Sequence, residues 1–205
     1  MADLLLYHAA PSRSMTVRWM LEEVGEPYDI HLLKLSEGDQ QKPEYLAVNP
    51  QGKVPALRHK GVVITEVSAI CAYLADEFPK AKLAIPVGDP RRGVYFQWLF
   101  FGPSSVEPAM IDRAYPRKDN PRAAALGYRD LDQLCDIVAK AVSKGPYLMG
   151  EQFTAADVVI GSGLRWGTQF KLIPDRPEFK PYVERIAARP AAQRADAKDK
   201  ELAGK

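Results

Sequence analysis

The chain has 205 residues, of which 46% are hydrophobic, and its 28 basic and 26 acidic residues leave a net charge of +2. A chain of this length and composition can bury a sizeable core. The near balance of charge excludes the basic field that nucleic acid or an anionic membrane would require. We therefore expect a small or neutral partner, with no nucleic acid and no membrane.

The two cysteines, Cys71 and Cys135, lack the paired spacing of a zinc site or of a C-x-x-C redox motif. We expect buried thiols and no bound metal. No run approaches the roughly 18 apolar residues of a membrane span, and residues 1–10 lack a basic segment and a cleavage pattern. These features indicate a cytoplasmic protein.

The first 79 residues alternate between strand and helix patterns. The apolar run "DLLLYHA" predicts a buried strand, and Val17, Met20 and Leu21 recur at the spacing of a following helix. "YDIHLLKL" predicts a second strand, Lys60-Gly61 divides two β-rich runs as a hairpin turn would, and "VSAICAYLADEFP" predicts another helix. This order predicts an α/β thioredoxin-like N-terminal domain with a mixed four-stranded sheet over residues 1–79.

The rest of the chain has few strand patterns. Proline and glycine are frequent in residues 80–89, which indicates a linker. Residues 90–205 have helical periodicity, so we predict an all-α C-terminal domain whose charged tail, "RADAKDKELAGK", frays. "FTAAD" predicts a helix start at which Thr154 and Asp157 cap the backbone reciprocally.

Two short segments of the N-terminal domain could hold a peptide-like ligand. In "KVP", residues 53–55, a cis Val54-Pro55 bond would turn the backbone of Val54 outward to pair with an extended peptide. The alternative is an ordinary trans proline at a strand start. In "TEVSAICAYLAD", the helix start at Ser68 offers an anion site and Glu66 could capture an amine, or the segment is a simple helix cap.

The order of a hydroxyl-bearing loop, "NPQGKVPAL", "TEVSAICAYLAD" and "FTAAD" resembles the soluble glutathione S-transferase family over essentially the whole chain. The resemblance implies a homodimer that binds glutathione as cosubstrate, mostly in its thioredoxin-like domain. It implies that Val54 and cis-Pro55 pair with the cysteinyl backbone of glutathione. Glu66 and its successor would hold the γ-glutamyl end. Lys53 would face the glycine carboxylate, or it is a solvated loop lysine.

One position departs from the pattern of the resembling family. The family carries Glu or Gln followed directly by Ser, whereas this chain has Glu66-Val67-Ser68. Val67 can offer a backbone N–H but no hydroxyl. One hydrogen bond of about 1 kcal/mol is therefore either missing or shifted to Ser68.

Three hydroxyls near the first helix are candidates to contact the glutathione sulfur. Ser12 lies in the loop, close to where the serine and cysteine classes of the resembling family place their functional residue. Tyr7 coincides with the catalytic tyrosine of some animal classes, or it packs as an aromatic does in bacterial-looking members. Ser14 is nearest to the helix and is alternatively its N-cap.

The resemblance also implies an apolar pocket for an electrophile between the domains, lined by the helix that matches residues 91–115. Its candidate side chains are Tyr95, Phe101, Met110, Arg113, Tyr115 and Trp166. The alternative for these side chains is core packing, which we favour for Trp166, whereas we expect Arg113 and Tyr115 to point into the cleft.

We therefore expect a cytosolic homodimeric transferase that conjugates glutathione to small hydrophobic electrophiles, a chemistry of detoxification. The alternatives are a glutathione-dependent isomerase, dehalogenase or peroxidase on the same site, and a non-catalytic protein that binds glutathione or stores ligands. No cysteine lies within residues 7–16, which disfavours a mixed-disulfide mechanism.

Overall fold

A computed structural model of the protein describes residues 2–119 and 123–203. The chain divides into two compact units. The first is Met1–Ala81 together with Arg189–Lys205, and the second is Lys82–Ala188.

The first unit contains a four-stranded mixed sheet, as the sequence predicts. Its strands are β1 (Leu4–His8), β2 (Tyr28–Leu32), β3 (Ala56–His59) and β4 (Val62–Thr65), in the spatial order β2-β1-β3-β4. β1 is parallel to β2 and antiparallel to β3, which is antiparallel to β4. The helices of the thioredoxin-like part are α1 (Ser14–Val24), the short α2 (Pro43–Leu46) and α3 (Val67–Glu77). This arrangement confirms the predicted fold class.

β1 is a central strand, which explains its apolar sequence. Leu6 is fully buried and pairs with Ile30 of β2 on one side and with Leu57 of β3 on the other. The hairpin between β3 and β4 turns at Lys60 and Gly61, whose φ angles of 50° and 79° are both positive. Two positive φ values are typical of the type I′ turn, whose twist matches that of paired strands.

The second unit is helical. Its helices are α4 (Arg92–Phe101), α5 (Glu107–Ala114), α6 (Leu131–Val142), α7 (Ala155–Gln169) and α8 (Phe179–Ala187). A π-helical turn, Gly102–Val106, joins α4 to α5. It accommodates Pro103, which lacks an N–H, because the hydrogen bonds there follow a wider spacing than in an α-helix.

The predicted cap at the start of α7 is present. The buried Asp157 carboxylate accepts the N–H of Thr154 at 2.9 Å, the N–H of Leu148 at 2.8 Å and the hydroxyl of Tyr182 at 2.9 Å. Asp157 therefore connects the start of α7 to a neighbouring loop and to α8, and its role is structural.

Both cysteines are buried, as expected. Burial raises the pKa of the Cys71 thiol well above its ordinary value and that of Cys135 to about 11. Across residues 2–119 and 123–203, none of the helices is both long and apolar enough to cross a bilayer.

The C-terminal segment differs from the prediction. Residues 190–203 form a helix, α9 (Pro190–Ala203), which packs on α1 and belongs to the first unit. The tail therefore does not fray as far as residue 203 and is not part of the helical domain, and its last two residues lie outside the described part of the chain. Charges explain its position: Arg189 donates two hydrogen bonds of 2.7 Å to Glu23, and Arg194 donates to Glu22 at 3.0 Å. A bidentate arginine–carboxylate pair is among the stronger hydrogen-bonded contacts in proteins.

Glu22 is the buried acid at the centre of this contact. Its carboxylate accepts hydrogen bonds from Tyr28, Arg194 and Lys198. Burial alone would raise the pKa of Glu22, but the bonds from these three side chains outweigh burial and hold that pKa below its ordinary value. The ionised form of Glu22 is therefore stabilised by folding.

We predict that α9 makes the protein sensitive to acid through Glu22. Because the folded-state pKa is the lower one, the unfolded chain takes up the proton first. The stabilisation is thus complete above the ordinary Glu pKa of about 4.3 and disappears as the pH falls through the folded-state pKa. Glu22→Gln should lower the free energy of unfolding by about 2 kcal/mol near neutral pH and flatten its decrease in acid. Urea titrations across this pH range measure both effects.

The matched control is Glu37→Gln. Glu37 pairs with Lys34 at 3.2 Å, and both side chains are 58% exposed. We expect a change of at most about 0.5 kcal/mol for this exposed pair. An acid profile of Glu22→Gln that superimposes on that of the wild type would show that the acid sensitivity resides elsewhere.

Candidate functional site

The loop between β1 and α1 presents one hydroxyl at its surface. Ser12 is half-buried, and its Oγ donates to the carbonyl of Ala9 at 2.6 Å. The same oxygen lies 2.8 Å from Ser14 Oγ and accepts the N–H of Ser14 at 3.1 Å. Of the two serines, Ser12 is therefore the one that a ligand can contact.

Ser14 organises this loop from inside. Its side chain is fully buried, and its Oγ accepts the N–H of Ala9 at 3.1 Å and lies 2.9 Å from His8 Nδ1. Ser14 is the first residue of α1, and Arg13 occupies the N-cap position, which corrects the alternative that Ser14 is the N-cap. Its burial also removes it from direct contact with a ligand.

Tyr7 is buried in a small core cluster. Its ring lies 5.7 Å from that of Tyr45 and 5.2 Å from that of His31, beside Leu33 and Ala56. In the described part of the chain the Tyr7 hydroxyl makes no hydrogen bond. This environment is typical of a packing aromatic and fits the second of the two interpretations of Tyr7.

The loop before β3 is held at the carbonyl of Lys53. Tyr45 donates its hydroxyl to this oxygen at 2.6 Å, and Asn49 donates its side-chain amide at 2.7 Å. The Val54–Pro55 peptide is cis, the isomer that the resemblance implies, as is Ala10–Pro11. Within the described residues, neither the N–H nor the C=O of Val54 makes a backbone hydrogen bond, so both are available for pairing.

Gly52 is required in this loop. Its φ angle is +61°, and a Cβ at this position would lie 2.9 Å from the carbonyl oxygen of Gln40. No side chain fits there without movement of the backbone. The close approach therefore explains the glycine in "NPQG".

Glu66 lies at the start of α3 in an unusual backbone conformation. Its φ angle is 68°, which non-glycine residues rarely adopt and which is frequent at binding sites. Its exposed carboxylate accepts a hydrogen bond of 3.1 Å from the side chain of Gln51. Val67, half-buried, begins the helix, whereas Ser68 is buried, so its hydroxyl does not take the place of the missing one at the surface.

Family profiles match both units of the chain. The profile of the glutathione S-transferase N-terminal domain matches residues 12–77, and that of the C-terminal domain matches residues 99–190. A crystal structure of a glutathione transferase from Methylococcus capsulatus strain Bath is 31% identical, with a TM-score of 0.81 over 96% of this chain and 98% of that one. The chain belongs to the glutathione S-transferase family.

Other members of the family differ in what their names state. A glutathione transferase family member from Pseudomonas fluorescens Pf-5, whose structure holds two glutathione molecules, is 27% identical, with a TM-score of 0.77 over 94% of this chain and 91% of that one. The disulfide-bond oxidoreductase YfcG of Escherichia coli K12 is 27% identical over 203 residues, 93% of each chain. Membership of the family therefore leaves the reaction open.

The side chains expected to line an electrophile pocket have different environments. Tyr95 and Met110 are buried and present no surface to a ligand, which differs from the expectation. Arg113 is paired with Asp132 at 2.7 Å. The remaining three have accessible surface: Phe101 and Trp166 are half-buried and Tyr115 is 75% exposed.

Sequence reasoning missed several residues of the candidate site and of its surroundings. Asn49 and Gln51 lie in "NPQG", an Asn-x-x-Gly pattern that signals a tight turn and could have identified them. His8 and Asp199 lie far apart in the sequence, yet Nε2 of the first is 3.1 Å from Oδ1 of the second. Neither residue belongs to a local motif, so no sequence signal identifies this pair.

Proposed function

We propose that this glutathione S-transferase binds glutathione in its first unit, activates the thiol through Ser12, and transfers the sulfur to a small apolar electrophile. We further propose that it acts in the cytoplasm as a homodimer. The observation that carries the proposal is the half-buried Ser12 hydroxyl, in a chain whose Val54 backbone is free to pair.

The backbone of Val54 would bind the cysteinyl part of glutathione. A free N–H and C=O on one extended residue can pair with a peptide as a further strand does. The bonds from Tyr45 and Asn49 to the adjacent Lys53 carbonyl hold this residue in place before the ligand arrives. Such preorganisation reduces the entropy lost on binding.

The charged ends of the tripeptide would bind on either side. Glu66 supplies a carboxylate for the γ-glutamyl amine, and the Gln51 amide at 3.1 Å keeps it in position. The N–H groups at the start of α3 suit the neighbouring α-carboxylate. Lys53, which is exposed, supplies a cation for the glycine carboxylate.

Ser12 would stabilise the thiolate. A thiol with a pKa near 8.5 is only about 3% ionised at pH 7. Lowering the pKa to about 6.5 raises the ionised fraction to about 75% and requires that the thiolate be stabilised by roughly 2.7 kcal/mol. A hydroxyl that donates to the thiolate, near a helix N-terminus, can contribute this much. Donation to the sulfur requires the Ser12 proton to turn away from the Ala9 carbonyl.

The accessible aromatic side chains of the helical unit are candidates to receive the electrophile. Phe101, Tyr115 and Trp166 offer apolar area, and Trp166 is already supported by Phe170 at 4.6 Å between ring centroids. Such surfaces favour planar or apolar molecules over charged ones.

A disulfide-bond oxidoreductase, as the relative YfcG is named, is the second candidate. The chain offers no protein thiol for such a reaction in the β1–α1 loop, and burial raises the pKa of both its cysteines. A reductase would therefore have to use only thiols of bound glutathione. A glutathione-dependent isomerase, a dehalogenase, a peroxidase or a storage protein would share the same binding site.

We predict that Ser12→Ala lowers turnover of glutathione with an aryl halide at least about tenfold at pH 7, because the thiol loses both its ionisation and its orientation. The activity of the variant should rise with pH through about 8.5, the ordinary thiol value, where the wild type has already reached its plateau. Stopped-assay rates at saturating glutathione across this pH range give the comparison.

Tyr7→Phe is the matched control, because it removes a hydroxyl from the same part of the first unit without emptying the core. We expect activity within about twofold of the wild type, since the Tyr7 ring packs in the core cluster and its hydroxyl makes no hydrogen bond to the described residues. A loss in Tyr7→Phe with full activity in Ser12→Ala would reverse the assignment. A wild type that shows no thermal shift with millimolar glutathione would refute the site as a whole.

We also predict that Val67→Ser increases the affinity for glutathione. The substitution supplies the hydroxyl that the family pattern has at this position, and one further hydrogen bond of about 1 kcal/mol corresponds to about fivefold in Kd. Val67→Ala is the control, because it removes the same methyl groups and adds no hydroxyl. Calorimetric titration with equal Kd values for the two variants would show that this position does not face the ligand.

A further inference from the structure

Behind Ser12, a buried row of polar side chains crosses the first unit. Ser12 Oγ is 2.8 Å from Ser14 Oγ, which is 2.9 Å from His8 Nδ1. On the other side of the imidazole, Nε2 is 3.1 Å from Asp199 Oδ1 on α9. Ser14 and His8 are fully buried and Asp199 is 4% exposed, so Ser12 alone connects the row to the surface.

At the interior end of the row, His8 and Asp199 each have a polar atom without a hydrogen-bond partner among the described residues. His8 Nε2 and Asp199 Oδ2 are buried and make no hydrogen bond within the described residues, although Nε2 faces the carboxylate. Buried polar atoms without partners are rare, and each calls for an explanation. An imidazole that gains a proton at Nδ1 here would have a carboxylate beside its other nitrogen.

We propose that this row is a proton relay in which His8 receives the proton that glutathione loses when its thiol ionises. This inference rests on the proposed function, because it needs a thiol at Ser12. His8 acts through the two serines and is therefore a positioning residue rather than one that touches the substrate.

The transfer balances along the row. The S–H bond breaks and its proton bonds to Ser12 Oγ, the proton of Ser12 passes to Ser14 Oγ, and that of Ser14 passes to His8 Nδ1. Afterwards, the imidazolium donates to Ser14, Ser14 donates to Ser12, and Ser12 donates to the thiolate. The relay thus turns the Ser12 hydroxyl toward the sulfur, away from the Ala9 carbonyl that it contacts at 2.6 Å in the structure.

The charges around His8 are compatible with this step. Arg18 donates to Asp199 at 2.6 Å, so this pair is neutral before the proton arrives. The imidazolium then adds one positive charge, and the thiolate adds one negative charge at the other end. Among the described residues, the polar groups that contact the His8 ring are Ser14 and Asp199, and Asp199 in turn pairs with Arg18. The net charge of this assembly and the thiol does not change in the transfer.

The relay predicts how many protons leave the protein when glutathione binds. Thiolate formation is followed by its ultraviolet absorbance, and proton release is followed by calorimetry in two buffers of different ionisation enthalpy, at a pH about one unit above the ordinary His value of 6.5. In the wild type we expect thiolate with less than half a proton released per thiolate. In His8→Gln we expect at least about tenfold less thiolate at the same pH, and one proton released for each thiolate that forms.

His59→Gln is the matched control. His59 is also buried, with Nδ1 at 2.7 Å from the Tyr73 hydroxyl and Nε2 at 3.2 Å from Asp3 Oδ2, but it has no connection to Ser12. This variant should keep the wild-type thiolate fraction and proton count. Asp199→Asn, which keeps the shape of the carboxylate, should reduce the thiolate fraction about threefold or more.

The outcomes separate the two proposals. A wild type that forms thiolate and releases one proton per thiolate refutes the relay and leaves the proposed function in place, without reliance on any variant. A His8→Gln variant that is folded and forms as much thiolate as the wild type does the same. A wild type that binds no glutathione refutes the proposed function and the relay with it.

Discussion

Ser14 places one buried hydroxyl where β1 ends and α1 begins, and the geometry of the candidate site depends on it. Its oxygen accepts the N–H of Ala9 and lies within 2.9 Å of both the Ala9 carbonyl and His8 Nδ1, and within 2.8 Å of Ser12. A buried oxygen with this many partners is held firmly in place. It therefore fixes the position of Ser12, the residue of the pair that reaches the surface.

The charged helix α9 stabilises the same region from the other side. Its Arg194 and Lys198 pair with Glu22, and its Asp199 pairs with Arg18 and faces His8. The C-terminal helix thereby contacts the strand and the helix on either side of the Ser12 loop. Because this helix both stabilises the fold and faces the candidate site, we expect changes in its charges to affect the stability of the protein and the geometry of the site together.

Much of the fold could be predicted from local pattern, because each prediction depended on residues close in sequence. The apolar run of β1 indicated a central strand, Lys60-Gly61 indicated the hairpin turn, and Thr154 with Asp157 indicated the start of α7. The position of α9 could not be predicted in this way. Its charges are typical of a solvated tail, and their partners on α1 lie more than 160 residues earlier in the chain.

In the candidate site, too, the features that local sequence predicts differ from those that depend on residues distant in the chain. Pro55 and Glu66 belong to short motifs, and both have the backbone features expected at a binding site: a cis peptide before the first and a positive φ at the second. The choice among Tyr7, Ser12 and Ser14 depends on the burial of each side chain. A single sequence does not reveal that burial when one residue lies in a buried strand and the other two follow it closely. His8 belongs to no motif, because its contact with Asp199 depends on a helix at the far end of the chain.

The most direct test of this account is a crystal structure of the protein with glutathione bound. We predict that the sulfur lies within hydrogen-bond distance of Ser12 Oγ and that the cysteinyl backbone pairs with Val54. It would be contradicted by a glutathione sulfur that lies beside the Tyr7 hydroxyl and away from Ser12.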